Sequence, residues 1–279
     1  MKNTLAVKKI IQSKIKEGFV PYIMGSYDNI NSVNIKPFGL SIKKIVVEDI
    51  NNKVFFDNYI YINGIAFGEK TLGIPRWVGI DCVALPSVTV GFALPFKKLP
   101  VEIKRKLDVK DKNQLIPVSE YTLIPKIYQS RKFVNCTLCS VISKNSLASL
   151  SVLLGIAIYN PIEIDIVAQF SDISLKTHTK YGNLEIILPK LDIHNLNTSF
   201  VGRLKIKSLE NICYKFLTSK SRNSIKSTFE YFNSDLETKE IILSNIKNKV
   251  AKYYITYPGV VFNSLRDIEV PTLLVEVVL

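Results

Sequence analysis

Histidine, cysteine and glycine-rich phosphate signatures are scarce in this sequence, and each scarcity removes a class of chemistry or architecture. Its 279 residues include two histidines, His178 and His194, one tryptophan, Trp77, and four cysteines. Neither histidine has a carboxylate cluster beside it, so no metal site is expected. The chain has no G-x-x-x-x-G-K and no G-x-G-x-x-G, which argues against a P-loop nucleotidase and a dinucleotide fold. It has no G-x-S-x-G elbow, and His194 falls in a loop, which argues against a serine hydrolase. Four cysteines do not make a disulfide scaffold at this length. Cys136 and Cys139 fall inside an expected strand, where residues three apart point to opposite faces; core packing suits them better than a shared ion.

Long apolar runs are also missing. The best, Leu147 to Tyr159, ends at Asn160-Pro161 and is too short for a membrane span. Lysines interrupt the N-terminal stretch every few residues, unlike a signal peptide, and the expected location is cytoplasmic. No RNP sequence, zinc finger or helix-turn-helix is recognisable, so nucleic acid is not the expected partner. The net charge of +13 is concentrated in Lys2 to Lys16 and Lys97 to Lys112. A solvated, lysine-rich surface explains it; the alternative is a patch for the phosphates of an anionic cofactor or for peripheral contact with a membrane surface.

What is present is an ordinary globular composition, 47% hydrophobic and 22% charged. Thr4 to Lys16 has the spacing of an amphipathic helix, and Gly18 to Gly39 has the composition of irregular structure. Leu40 to Asp49 and Lys53 to Phe67 read as β-type runs joined by a turn at Ile50-Asn51-Asn52. Val78 to Ala84, Val88 to Leu94 and Ile116 to Ile124 read as strands, and Pro100 to Leu107 as a short basic helix. After Ser208 the spacing is helical over Leu209 to Leu217, Ser221 to Phe232 and Glu237 to Tyr254, before an apolar strand at Val270 to Leu279. The expected organisation is an N-terminal helix and irregular segment (1–39), a mixed-sheet core (40–206) and a helical C-terminal extension (207–279).

The stretch from Phe133 to Ile206 carries the most information. Phe133 to Ile142 reads as a strand, Ser143 to Ser146 as a polar elbow and Leu147 to Tyr159 as a buried helix. Ile162 to Phe170 is a strand and Asp172 to Tyr181 a short helix; Leu184 to Leu188 and Phe200 to Ile206 are strands. That β-α-β-α-β-β order predicts an α/β (α+β) fold, a mixed and largely antiparallel sheet with flanking helices. It also puts the mouth between the first two strands next to a helix N-terminus, a natural place for a phosphate-bearing cofactor.

This stretch, 133–206, resembles the second half of a GNAT (acyl-CoA N-acyltransferase) domain. Asp172-Ile-Ser-Leu-Lys-Thr-His-Thr-Lys-Tyr-Gly182 is similar to that family's N-x-x-A-x-x-x-Y-x-K-x-G-F motif, with His178 where the tyrosine usually stands. The resemblance implies that acyl-CoA is the co-substrate and a small-molecule amine the acceptor. It also implies that Val141, Ile142, Ser143, Lys144, Asn145 and Ser146 form the cofactor elbow. The family's glycine-rich R/Q-x-x-G-x-G/A loop is replaced here by Ser143-Lys-Asn-Ser-Leu-Ala148, and its two early helices have no evident counterpart. The implied reaction is attack of an amine on the thioester, with His178 as the acid that protonates the thiolate and Glu120 as the base. Glu163 and Asp165, sharing one face of a strand, are the other candidate bases; the alternative for His178 is a histidine satisfied by a backbone carbonyl. Catalytic silence is the companion reading.

Tyr61 to Trp77 (61–77) is faintly similar to the acetoacetate decarboxylase family, with Arg76 at the position of the Schiff-base lysine. A guanidinium cannot form the imine, so that reading gives a small-carboxylate-binding protein. A third reading is a non-enzymatic scaffold whose helical tail forms a homodimer.

Overall fold

The computed structural model describes residues 2–33, 35, 39–67, 79, 87–126, 129–142, 146–169, 177–192, 198–218, 253–263 and 268–278. Helix α1 (Lys2–Lys16) forms because Val7, Ile10 and Ile11 recur on one face and are buried, while Lys9 and Lys16 stay in solvent. It stops at Gly18, whose φ of +94° suits glycine. The Gly18 N–H donates to Ile15 O (2.9 Å) and the Phe19 N–H to Lys14 O (3.0 Å), the paired bonds of a Schellman end.

The region 18–39, expected to be irregular, instead holds strand β1 (Val20–Gly25) and helix α2 (Tyr27–Ser32). Glycines at both ends gave β1 a loop-like composition, but its residues are almost all buried, as a central strand requires. Ser26 caps α2 by accepting from the Asn29 N–H at 3.2 Å. Strand β2 (Lys43–Val46) follows, then a 3-10 turn at Ile50–Asn52 in which Asp49 accepts from the Asn51 N–H.

Lys53–Phe67 is helix α3, not the β-run its aromatic and β-branched content suggests. Phe55, Tyr59, Ile62 and Asn63 share one face and are buried against the sheet, where Phe55 meets Tyr22 edge-on at 4.9 Å. Packing at helical spacing overrides the local propensity.

The chain continues through strand β3 (Val88–Pro95), helix α4 (Val101–Lys104), strands β4 (Leu115–Pro125) and β5 (Lys132–Ser140), helix α5 (Leu147–Tyr159) and strand β6 (Glu163–Gln169). Strands β7 (Gly182–Asp192) and β8 (Thr198–Ile206), helix α6 (Leu209–Thr218), and strands β9 (Tyr253–Asn263) and β10 (Ile268–Val278) complete it. Of the expected helix at Asp172 to Tyr181, residues 172–176 lie outside the described residues and 177–179 form a helical turn. The expected helix at 221–232 and, apart from Gly79, the expected strand at 78–84 also lie outside them. Tyr253 and Tyr254, expected at a helix end, belong to β9.

The strands form one sheet in the order β2-β1-β3-β4-β5-β6-β8-β7-β10-β9. Among the described residues only β1–β2 and β5–β6 are parallel neighbours, so the sheet is mixed and largely antiparallel, as the sequence predicts. Tyr22, Met24, Ile45 and Ala93 pack under α3 on one face. On the other, Val90, Phe92, Tyr121, Leu123 and Phe133 pack with α1, α5 and α6. No helix among the described residues is long and apolar enough to cross a membrane.

Candidate active site

Strands β5 and β6 are paired over four positions only. Lys132, Phe133, Val134 and Asn135 stand opposite Glu163, Ile164, Asp165 and Ile166. Beyond Asn135, β5 stays with β4, pairing Thr137 with Thr122 and Ser140 with Ser119. Strand β6 stays with β8, pairing Val167, Ala168 and Gln169 with Val201, Phe200 and Ser199. Each strand keeps its outer neighbour while the two inner edges separate. The separation starts at a bulge: Leu123 pairs with Asn135 but Thr122 with Thr137, so Cys136 is an extra residue in β5. An inserted residue bends the strand that carries it and terminates pairing on its edge.

The separated end of β5 leads into the expected elbow. The Val141 N–H donates to Val118 O (3.0 Å), and the Ser140 hydroxyl accepts from the Ile142 N–H (3.3 Å). Ser146, in the left-handed region at φ +53°, opens α5 without a side-chain cap to its first turn. Ser143, Lys144 and Asn145 lie outside the described residues. At its far end α5 stops at Asn160, also left-handed, whose N–H donates to Ile156 O (2.8 Å) ahead of Pro161.

Glu120 lies on β4 directly opposite Cys139 of the separated part of β5. Strand alternation turns its neighbours Ser119 and Tyr121 toward α5, where Ser119 meets the Ser151 hydroxyl at 2.9 Å and Tyr121 packs on Gly155. Glu120 therefore faces α3. It is 0% exposed; Oε1 accepts from Asn63 Nδ2 at 3.0 Å, and Oε2 has no hydrogen-bond partner. Burial pushes the carboxyl up to about 8, against the Asn63 bond and neighbouring Cys139 and Thr137, which favour the charged form. Beside it the Thr137 hydroxyl donates to Thr122 Oγ1 (2.8 Å), which lies 2.6 Å from Thr89 Oγ1.

His178 is 2% exposed, and its Nδ1 has no hydrogen-bond partner. Burial lowers its pKa to about 4, so the imidazole is neutral in the range where an acid titrating near neutrality was expected. The Tyr181 N–H donates to His178 O at 3.0 Å, and the Tyr181 hydroxyl donates to Ser149 O of α5. The turn carrying His178 is thus anchored on the α5 side, and the carboxyl of Glu120 on the α3 side.

Glu163 and Asp165 are occupied by ion pairs. Asp165 pairs with Lys126 and with Arg203 Nε (3.1 Å); Glu163 lies 3.5 Å from Arg203 Nε and 3.6 Å from Lys132 Nζ. Burial pushes the Asp165 carboxyl up, but the hydrogen bonds and charges of Lys126 and Arg203 outweigh it and hold its pKa below the ordinary value. A carboxylate held ionised by two cations is a poor proton acceptor.

Asn63 and Tyr22 are the neighbours of Glu120 that the linear reading missed, because it made one segment a strand and the other irregular. The signal for Asn63 was available: Phe55, Tyr59 and Asn63 are spaced four apart, the period of a helix face. Of the decarboxylase-like segment, 61–67 forms the end of α3 and 68–77 lies outside the described residues.

No protein-family model matches the sequence, and no curated protein matches it. Among solved structures, the chain is similar to a component of the NatC complex bound to Gag peptide and CoA, at 12% identity and TM-score 0.39, over 57% of this chain and 95% of that one. It is similar to the aminoglycoside 6'-N-acetyltransferase from Enterococcus faecium, at 16% identity and TM-score 0.34, over 57% and 94%. It is also similar to a GNAT family acetyltransferase from Elizabethkingia anophelis with acetyl-CoA bound, at 10% identity and TM-score 0.28, over 43% and 76%. The fold itself is seen directly in this chain: a mixed, largely antiparallel sheet whose β5-α5-β6 unit opens between its two strands.

Proposed function

We propose that this protein is a divergent acyl-CoA-dependent N-acyltransferase acting on a small amine. The observation that carries this reading is the parting of β5 and β6 after Asn135 and Ile166, beside the N-terminus of α5. A thin, extended cofactor arm fits between two strands that have released each other, with exposed backbone groups to hold it. Phosphates suit a helix start whose first amides lack a side-chain cap. The elbow 141–146 supplies that end of the site, with Lys144 as the cation.

In this scheme the acceptor amine attacks the thioester carbonyl carbon. The C–N bond forms, the C–S bond breaks, and the thiolate leaves. Glu120 takes the amine proton on Oε2 as the bound acceptor displaces the packing that buries it, the thiolate is protonated from solvent, and Glu120 gives up its proton when the product leaves. A base that titrates near 8 is matched to that task, because it is partly ionised at neutral pH and strong enough to accept the proton. His178, neutral and buried, contributes at most a neutral hydrogen-bonding group.

Calorimetry with acetyl-CoA and longer acyl-CoAs tests the reading; no heat and no thermal shift with any of them defeats it. The double variant Ser143→Glu with Lys144→Glu is expected to abolish acyl-CoA binding while leaving the melting temperature within about 2 °C. Unchanged affinity in that variant moves the phosphate site away from the elbow.

A further inference from the structure

Asn63 holds Oε1 of Glu120, Oε2 has no oxygen or nitrogen donor within hydrogen-bond distance, and the Cys139 thiol and Thr137 hydroxyl are the further hydrogen-bonding neighbours of the carboxyl. From β1, Tyr22 approaches, but its hydroxyl donates to Ser119 O at 3.0 Å. On β3 the residue opposite is Gly91, where a Cβ would lie 2.0 Å from Ser119 O and 2.9 Å from the Tyr22 hydroxyl. On β5 stand the thiols of Cys136 and Cys139, and Thr137, whose hydroxyl is given to Thr122. From α3 comes Asn63, 1% exposed, whose amide reaches Oε1. The titratable groups facing the carboxyl, Tyr22, Cys136 and Cys139, are all acids, and burial pushes Tyr22 and Cys139 well above their ordinary values. No cation among the described residues faces it.

We propose that Asn63 is a positioning residue for Glu120: its amide holds Oε1 and leaves Oε2 as the oxygen that receives the acceptor's proton. This rests on Glu120 being the base. The geometry makes the hold rigid. Asn63 shares its helix face with Phe55 and Tyr59, which lock α3 onto β1 and β3, and Glu120 is fixed between two paired strands. A neutral donor favours the ionised carboxylate without cancelling its charge, so the oxygen remains basic. A lysine or arginine in the same place would quench it, as Lys126 and Arg203 do for Asp165.

The test follows the carboxyl directly, in protein carrying 13C at the glutamate δ-carbon, with the Glu120 signal assigned by its loss in Glu120→Gln. Replacing Asn63 by Leu, or by Ser should the Leu variant not fold, is expected to raise the Glu120 titration midpoint by about one pH unit or more, because a hydrogen bond to the charged form is lost. Asn63→Gln, which keeps the donor, is expected to return at least half of that shift. The low-pH limb of kcat/KM should move by the same amount, with the plateau rate kept within about tenfold; a merely structural role would lower the rate at every pH and leave the limb in place. An unmoved midpoint in a folded Asn63→Leu or Asn63→Ser protein overturns the proposal, whatever the activity. A midpoint that moves in a protein transferring no acyl group from any acyl-CoA overturns the acyltransferase reading and leaves the hold of Asn63 on Glu120 standing.

Discussion

At the scale of single residues, Glu120 and His178, both buried, pull stability in opposite directions with pH. Glu120 titrates near 8 in the folded chain and near 4.5 when exposed, so between those values the folded state binds the extra proton and stability falls as pH rises. His178 titrates near 4 folded and near 6.5 unfolded, so in that window the unfolded state binds the extra proton and stability falls as pH drops. Each slope is about 1.4 kcal/mol per pH unit at most. They oppose each other between pH 4.5 and 6.5, which leaves Glu120 acting alone from 6.5 to 8. Thermal melts should therefore show the wild type losing stability from pH 6.5 to 8 and Glu120→Gln staying flat. An equally steep decline in the variant would assign the proton to another group. The sequence offered Glu120 as a candidate base, but Asn63 lies 57 residues away in the chain and Tyr22 further still, and only the fold brings them to it.

At the scale of elements, α5 shows how a strongly apolar helix is seated. Gly155 lets the helix approach the sheet: a Cβ there would lie 2.7 Å from Tyr121 Cδ1 and 3.5 Å from Val90 Cγ2. Tyr121 is 1% exposed and cannot swing into solvent. Gly155→Ala should therefore cost about 1–3 kcal/mol through overpacking, despite alanine's better helix propensity. Denaturant unfolding measures it, and a stabilised variant would mean that α5 sits further from β4 than described. The bounds of α5 were legible because its apolar run is closed by Ser146 and by Asn160-Pro161. Helix α3 was not, because aromatic and β-branched residues at helical spacing carry a strand-like composition, and the sheet face that selects the helix is remote in sequence.

At the scale of the whole molecule, folding brings together the two basic stretches that are 80 residues apart in the chain. Lys98 Nζ lies over Gly18 at the end of α1, the Lys97 N–H donates to Lys112 O at 2.9 Å, and Lys104 Nζ reaches Lys97 O at 2.7 Å. Lys16, Lys97, Lys98, Arg105, Lys106, Lys110 and Lys112 are exposed there, and none has an ion pair among the described residues, whereas Lys14 pairs with Glu17. Like charges crowded on one surface repel, and salt screens them beyond about 10 Å at 0.1 M. The melting temperature should therefore rise by about 2 °C or more between roughly 20 and 200 mM sodium chloride, and Lys98→Glu should reduce that gain. Salt-insensitive melting would show that the charges lie too far apart to matter.

The sequence by itself determined β5, α5, β6, β7 and β8, because alternation and helical spacing there agree with local composition and with sharp stops such as Asn160-Pro161. It also offered Glu120, Glu163 and Asp165 as candidate bases, and only the fold shows that Glu120 is buried while the other two are ion-paired. Tertiary structure decided that helical spacing prevails over strand-like composition in Lys53–Phe67, that β1 is a central strand, that the parting of β5 and β6 starts at a one-residue bulge, and that His178 is held neutral. Each of those depends on surfaces or neighbours distant in the chain, and burial, pairing register and desolvation are properties of what surrounds a residue in space.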